Sequence, residues 1–300
     1  MALPPMELAS LEALRAWLGR TERRTDVVTP APLVGLAATL DRPGDPEPTT
    51  GTALPPLAHW LYFLPRAAQA ELGDDGHARR GGFLPPVALP RRVWGGGRLE
   101  LHHDLIVGDA IVRDSTITRV DARRGRSGAL VLVTVRHEIR DARGLAITED
   151  HDLVYGERPT PGAAARPAAA APTDEAFHRV IAPDPVLLFR YSALTFNGHR
   201  IHYDRGFATE VEGYPGLVVH GPLIATLLVD LVRRALPGAR ITSFRFQATS
   251  PLFDLHPFAV CGRREPDGHV ALWARDHAGA LAMHARAELG PDPSPPQGRP

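Results

Sequence analysis

Apolar positions recur at helical spacing in four stretches. They are Leu8, Leu11, Leu14, Trp17 and Leu18; the run Pro32 to Leu40; the run Val186 to Leu194; and the run that follows His220-Gly221-Pro222 as far as Arg234. A proline in the first turn is tolerated because its missing N–H would have no partner there, so the last run predicts a buried helix opening at His220-Gly221. Other stretches read as strands, being short, β-branched and bounded by turn residues. These are 99–103, 111–113, 115–121, 130–139 and 145–155 in the first half, and 240–248, 258–263, 269–276 and 280–288 in the second. His59 to Phe63 reads as another short strand, and Glu175 to Arg179 as a strand or turn. Residues 42–56 and 74–98 are rich in glycine and proline and read as loops. The second of these ends in Trp94-Gly-Gly-Gly-Arg98 and carries Arg79, Arg80, Arg91 and Arg92.

The order of helix and then antiparallel strands occurs twice, about 160 residues apart. Between the copies, residues 158–173 are Pro/Ala-rich and lack large apolar side chains, as an interdomain linker does. The expected organisation is an N-terminal unit over 1–157, the linker, a second unit over 174–290 and a disordered Pro-rich tail at 291–300. The fold class is α+β.

Composition narrows the choice of function. Of 300 residues, 44% are hydrophobic and 23% charged, ordinary values for a globular protein. All the cationic side chains are arginine, and the formal net charge is zero, which argues against nucleic acid as the main partner. Cys261 is the single cysteine, so neither an intramolecular disulfide nor a cysteine-based metal site is expected. It sits in an apolar run and reads as a buried thiol. The N-terminal stretch lacks a signal-peptide pattern, and no run of about twenty apolar residues exists. A cytoplasmic protein with no membrane partner is the expectation. No glycine-rich phosphate loop occurs, so no nucleotide cofactor is expected.

The chemistry concentrates in Arg190-Tyr-Ser-Ala-Leu-Thr-Phe-Asn-Gly-His-Arg-Ile-His-Tyr-Asp204, followed by His220-Gly221. Asn197-Gly198 breaks the helical pattern and puts the polar cluster on a loop. Histidine titrates near neutral pH, and the amides of a helix N-terminus stabilise a developing negative charge. This pair of motifs resembles the MaoC-like hydratase/dehydratase family, whose members carry Asp-x-Asn-Pro-x-His on a loop and a His-Gly pair opening the long helix of a hot-dog fold. The family's histidine falls on His202. Its aspartate falls on Asn197, its asparagine on His199 and its proline on Arg200, so the usual carboxylate is absent. The segment looks more like the two-domain branch, which includes 3-methylfumaryl-CoA (mesaconyl-CoA) hydratases, itaconyl-CoA hydratases and mitochondrial-type 3-hydroxyacyl-thioester dehydratases.

The resemblance implies a double hot-dog. It also implies water addition to, or removal from, a short acyl thioester on CoA or acyl-carrier protein, with no cofactor. The chain would be a monomer imitating a hot-dog dimer, or a homodimer. His202 would be the base, Asn197 would orient water, and the Gly221 N–H would face the thioester oxygen. His199, Arg200, Tyr203 and His220 would contact substrate, and His199 or Arg200 could take a substrate carboxylate. Arg91 and Arg92, with Arg79 and Arg80, would meet the phosphates of CoA. The spacing His199-x-x-His202 invites a metal, but the loop is no continuing helix and supplies no third ligand at helical spacing, so none is expected. A non-catalytic thioester-binding protein is the alternative, motivated by the missing aspartate.

Overall fold

Among the described residues, ten strands pair into one antiparallel sheet. The computed structural model describes residues 13–125, 128–157 and 168–291. The strands are β1 (Thr21–Val27), β2 (Arg91–Leu101), β3 (Ala110–Gly125), β4 (Gly128–Asp141), β5 (Gly144–Gly156), β6 (Phe177–Ile181), β7 (Ile241–Ala248), β8 (Phe258–Arg264), β9 (Val270–Arg275) and β10 (Leu281–Leu289). Their order is β1-β3-β4-β5-β2-β7-β10-β9-β8-β6. Adding five to each number in the first half gives the order in the second, read outward from the centre. The halves are therefore one motif used twice, joined where β2 pairs with β7 from Gly96↔Gln247 to Glu100↔Ser243. The fold is a double hot-dog.

The three α-helices among the described residues are α1 (Ala31–Thr39), α2 (Pro185–Leu194) and α3 (Gly221–Ala235). In α3 every residue from Leu223 to Val232 is buried, so this helix fills the concave face of the second half. Within it, buried Asp230 accepts from Arg42 Nη1 (2.9 Å) and Arg234 Nε (2.6 Å), which tethers α3 to the end of α1. Asp184 caps α2 by accepting from the Leu187 N–H (2.8 Å), with proline in the first turn as at α3.

The structure corrects several sequence expectations. The run Pro32–Leu40 is helical, but it is not a central helix, because α1 packs on α2 and on the turn Ala58–Leu61 rather than under its sheet. The expected strand at His59–Phe63 is that 3₁₀ turn, entered through Leu57 and left through Phe63, both at positive φ. The end of the expected loop 74–98 is strand β2, held by β5 on one side and β7 on the other, so Arg91, Arg92 and the glycine run lie in a strand. Strands 111–113 and 115–121 are one strand, β3. The helix expected at 186–194 buries only the face of Leu188, Tyr191 and Ser192, leaving Val186 and Phe189 exposed. Of the first apolar stretch, Leu14–Trp17 form a 3₁₀ turn, and residues 8–12 lie outside the described residues, as do 158–167 of the linker and 292–300 of the tail. Cys261 is buried beside Trp273, and burial pushes its thiol up to about 11.

Candidate active site

The chain leaves α2 through Phe196 at positive φ and turns back on itself. The Asn197 N–H donates to the Ser192 carbonyl (2.8 Å), and Asn197 Oδ1 accepts from the His199 N–H (3.1 Å). This asparagine thus holds the shape of its own loop with its carbonyl, leaving its NH₂ as the group open to other partners. The Tyr203 hydroxyl donates to the Gly198 carbonyl (3.0 Å). Arg200 Nη2 meets Asp204 Oδ2 (2.7 Å), and Arg200 Nη1 donates to the Asp74 carbonyl (2.9 Å). Tyr203 and Arg200 are thereby engaged within the protein, Arg200 with its charge already paired to Asp204.

The second anchor of this loop comes from the first half. The Arg200 N–H donates to the Asp75 carbonyl (2.9 Å). Gly76 has φ +84°, and a Cβ there would sit 1.9 Å from the Gly198 oxygen, so only glycine permits the two loops to touch. His77 lies on this turn, bonded to Asp75 through Nδ1 (3.0 Å). Asp75 and His77 carry no periodic or motif signal in the sequence.

Four imidazoles line up from this turn to the start of α3. Ring centroids are 4.1 Å apart for His77–His199, 5.3 Å for His199–His202 and 3.7 Å for His202–His220, the last pair stacked. His202 is buried, with Nδ1 2.7 Å from the Val218 carbonyl. A carbonyl only accepts, so Nδ1 carries the proton and Nε2 keeps its lone pair. Burial lowers the His202 pKa to about 4. Burial also pushes His220 well below the ordinary histidine range, and the neighbouring imidazoles add to the shift. Its Nε2 pairs with Ser192 Oγ (2.8 Å), whereas its buried Nδ1 has no partner. His202 is therefore a neutral imidazole at physiological pH.

His220 is the N-cap residue of α3, with extended backbone, and Gly221 follows as its first helical residue. A Cβ at Gly221 would find only the Trp94 carbonyl, at 3.7 Å, an ordinary contact. Nothing in the folded chain demands glycine there. Its bare Cα leaves the first-turn amides open to close approach from outside the chain.

Of the four arginines, Arg80 donates through Nη1 to the carbonyls of Val87 and Leu89 and through Nη2 to that of Pro90. Arg91 donates to the Glu212 carbonyl (3.1 Å) and lies over the Tyr214 ring. Arg79 is exposed, with Nε on the Leu72 carbonyl. Arg92 is half-buried and makes no ion pair with a carboxylate among the described residues. A cavity of about 570 Å³ joins Asp75, His77, Arg80, Arg91 and Arg92 to His199 and Tyr214. The one grouping among the described residues that could gather round a metal ion is Asp75, His77 and His199. His202, which the His-x-x-His spacing would have paired with His199, has its Nδ1 turned to Val218.

A second polar cluster, unforeseen in the sequence, lies buried in the first half. Glu149 Oε2 is 2.9 Å from His59 Nε2, and its Oε1 is 2.6 Å from His151 Nε2 and accepts from Trp60 Nε1 (2.8 Å). His103, which the sequence sets beside His102, meets Asp141 (3.0 Å) on the β4–β5 hairpin.

Residues 57–254 match the model of the hydroxyacyl-thioester dehydratase type 2 family. The chain belongs to that family. It is 47% identical to the mesaconyl-C(4)-CoA hydratase of Chloroflexus aurantiacus over 275 residues, covering 92% of this chain and 97% of that protein. Among solved structures it resembles a MaoC-like dehydratase from Phytophthora capsici, with a TM-score of 0.65 at 16% identity, covering 92% of this chain and 97% of that one. It also resembles a Mycobacterium tuberculosis protein described as a double hot-dog, with a TM-score of 0.56 at 14% identity, covering 91% and 96%. The chain is a hydro-lyase of the hydratase/dehydratase class. No helix among the described residues is long and apolar enough to cross a membrane.

Proposed function

We propose that this enzyme hydrates the double bond of a short enoyl-CoA that carries a second carboxylate, of the 3-methylfumaryl-CoA (mesaconyl-CoA) type. The observation that carries this reading is the likeness, along nearly all of both chains, to a mesaconyl-C(4)-CoA hydratase. The site's chemistry fits. Neutral His202, with Nε2 unprotonated, takes a proton from water as the water oxygen bonds to the β-carbon. The electron pair of the double bond moves through the α-carbon to the thioester oxygen, which the Gly221 N–H and the α3 N-terminus receive. The enolate then collapses, and the imidazolium returns the proton to the α-carbon. Asn197, unable to titrate, steadies the water through its NH₂. Run backwards, the same steps remove water.

No step calls for a cofactor. The reading places the enzyme in the cytoplasm, with acyl-CoA as its partner. Loss of ultraviolet absorbance of the conjugated thioester on adding enzyme to 3-methylfumaryl-CoA tests it. Hydration of crotonyl-CoA alone would favour the second reading, 3-hydroxyacyl-thioester dehydration, which the matched family's description supports. Absence of turnover on both would leave a binding protein.

A further inference from the structure

The sequence suggests that the arginines of 79–92 serve CoA's phosphates, but their partners in the fold differ sharply. Arg80 is committed to three backbone carbonyls, and Arg91 to the Glu212 backbone and the Tyr214 ring. Arg79 is exposed. Arg92, the second residue of β2 and paired opposite Tyr155 of β5, is half-buried, lines the cavity and has no carboxylate partner among the described residues. Of the cavity's carboxylates, Asp75 is occupied by His77 and Glu212 by Arg91, and Asp74 is exposed and makes no ion pair with Arg92. A half-buried guanidinium without a counter-charge is an anion seat, with a fork that suits a planar two-oxygen acceptor.

We propose that Arg92 binds the free carboxylate of the acyl group and so makes the enzyme select dicarboxylic substrates, an inference that rests on the function proposed above. Position decides between this anion and the phosphates. His199 lines the same cavity, and its ring lies 5.3 Å from the catalytic His202. In 3-methylfumaryl-CoA the carboxylate is attached to the β-carbon, the atom that receives water. The phosphates stand off by the pantetheine arm, about 15 Å when extended at roughly 1.2 Å of advance per bond. A seat in the cavity that His199, the ring next to His202, also lines suits the nearer anion.

One of the cavity's imidazoles, His199, fits this role as well. Burial lowers both His77 and His199, and the Arg92 charge adds to the shift in each. As a neutral ring His199 can donate a hydrogen bond to the carboxylate without a second charge, whereas the single N–H of neutral His77 is given to Asp75. The thioester then lies toward Gly221 and the carboxylate toward β2, which fixes the face of the alkene presented to Nε2 of His202.

The test is R92Q, with R92K beside it, assayed on 3-methylfumaryl-CoA, crotonyl-CoA and crotonyl-pantetheine. R92Q should lose roughly 10- to 100-fold in kcat/KM on 3-methylfumaryl-CoA, the worth of one charged hydrogen bond. Crotonyl-CoA and crotonyl-pantetheine should change by less than about threefold, within the worth of an exposed polar contact. R92K should recover part of the loss, as a point charge without the fork. Equal losses on both CoA esters, with crotonyl-pantetheine spared, would assign the seat to phosphate and overturn the proposal. Equal losses on all three would make Arg92 structural, and no loss would remove it from the site. If wild type hydrates crotonyl-CoA but not 3-methylfumaryl-CoA, the substrate reading fails and takes this inference with it. If wild type takes both and R92Q keeps the wild-type preference, only the Arg92 assignment fails.

Discussion

The two halves share a strand order and differ in what fills their concave faces. In the second half the filler is α3, fifteen residues long and buried from Leu223 to Val232. The first half puts the four-residue turn Ala58–Leu61 between α1 and β2 instead. Each face also buries histidines, with opposite company. His59 and His151 share the carboxylate of Glu149, which those imidazoles hold well below the usual carboxylate range against the opposing effect of burial. His202 and His220 meet a backbone carbonyl, a serine hydroxyl and each other. A carboxylate partner favours the charged imidazole; burial without one favours the neutral imidazole, the form that accepts a proton. The comparison teaches that a repeated fold can keep one helix N-terminus for chemistry and use the matching space in the other half for structure.

The largest effect should come from His202→Ala. Loss of the general base should lower kcat by about 10²–10⁴ in a protein that stays folded, with a lower Tm from the emptied buried site. Wild-type turnover in this variant would move the chemistry elsewhere. Glu149→Ala tests the other cluster. It strands a buried indole N–H and two imidazoles, and should cost on the order of 3–5 kcal/mol and lower Tm by roughly 10 °C. A wild-type Tm would show the first-half cluster to be dispensable.

Acid should separate the clusters next. The folded-state pKa of His202, about 4, lies below the unfolded value of about 6.5. The unfolded chain therefore binds the extra proton, and stability falls as pH drops through that window, by about 3 kcal/mol from this group. Urea titrations of wild type and His202→Gln at pH 7 and 4.5 should show the acid loss reduced in the variant. Equal losses would mean that His202 does not carry this term. The smallest effect expected is that of Gly221→Ala. The added methyl meets only the Trp94 carbonyl, so folding should hold, while kcat/KM should fall roughly tenfold or more as the thioester oxygen is pushed from the amide. Unchanged kinetics would put the oxyanion elsewhere.

The parts of the site within one chain segment were legible. Asn197 to His202 is a loop after a helix, and His220-Gly221-Pro222 opens the next, because turn and cap chemistry are local. Strands β3 to β5 and β7 to β10 were legible from their β-branched runs, whereas β1 was not anticipated and β6 was read only as a strand or turn. What escaped depends on distant partners. The contact of Asp75 and Gly76 with Gly198 and Arg200 joins loops more than a hundred residues apart, and neither loop's composition specifies the other. The glycines of β2 read as loop, yet pairing with β5 and β7 overrides their propensity. His59-Trp60-Leu-Tyr-Phe63 has strand composition but no strand partner, and its backbone enters and leaves through positive φ. The role of each arginine could not be read from its density along the chain, because committed and uncommitted guanidinium groups differ only in what the fold sets opposite them.

The pairing of β2 with β7 also governs how this chain can be taken apart. β1 and β6 are the outermost strands, and β1 presents Glu22, Arg23, Arg24 and Asp26 along its length, charges of the kind that discourage a further strand from adding. The central pair, shielded by its mate, has no need of such guards. A nick placed between Glu157 and Ala168 would leave the two fragments zipped together through that seam. Expressed singly, each fragment would instead offer a bare, sticky border to its own copies, so co-production is the route by which a split version of this enzyme would stay dispersed.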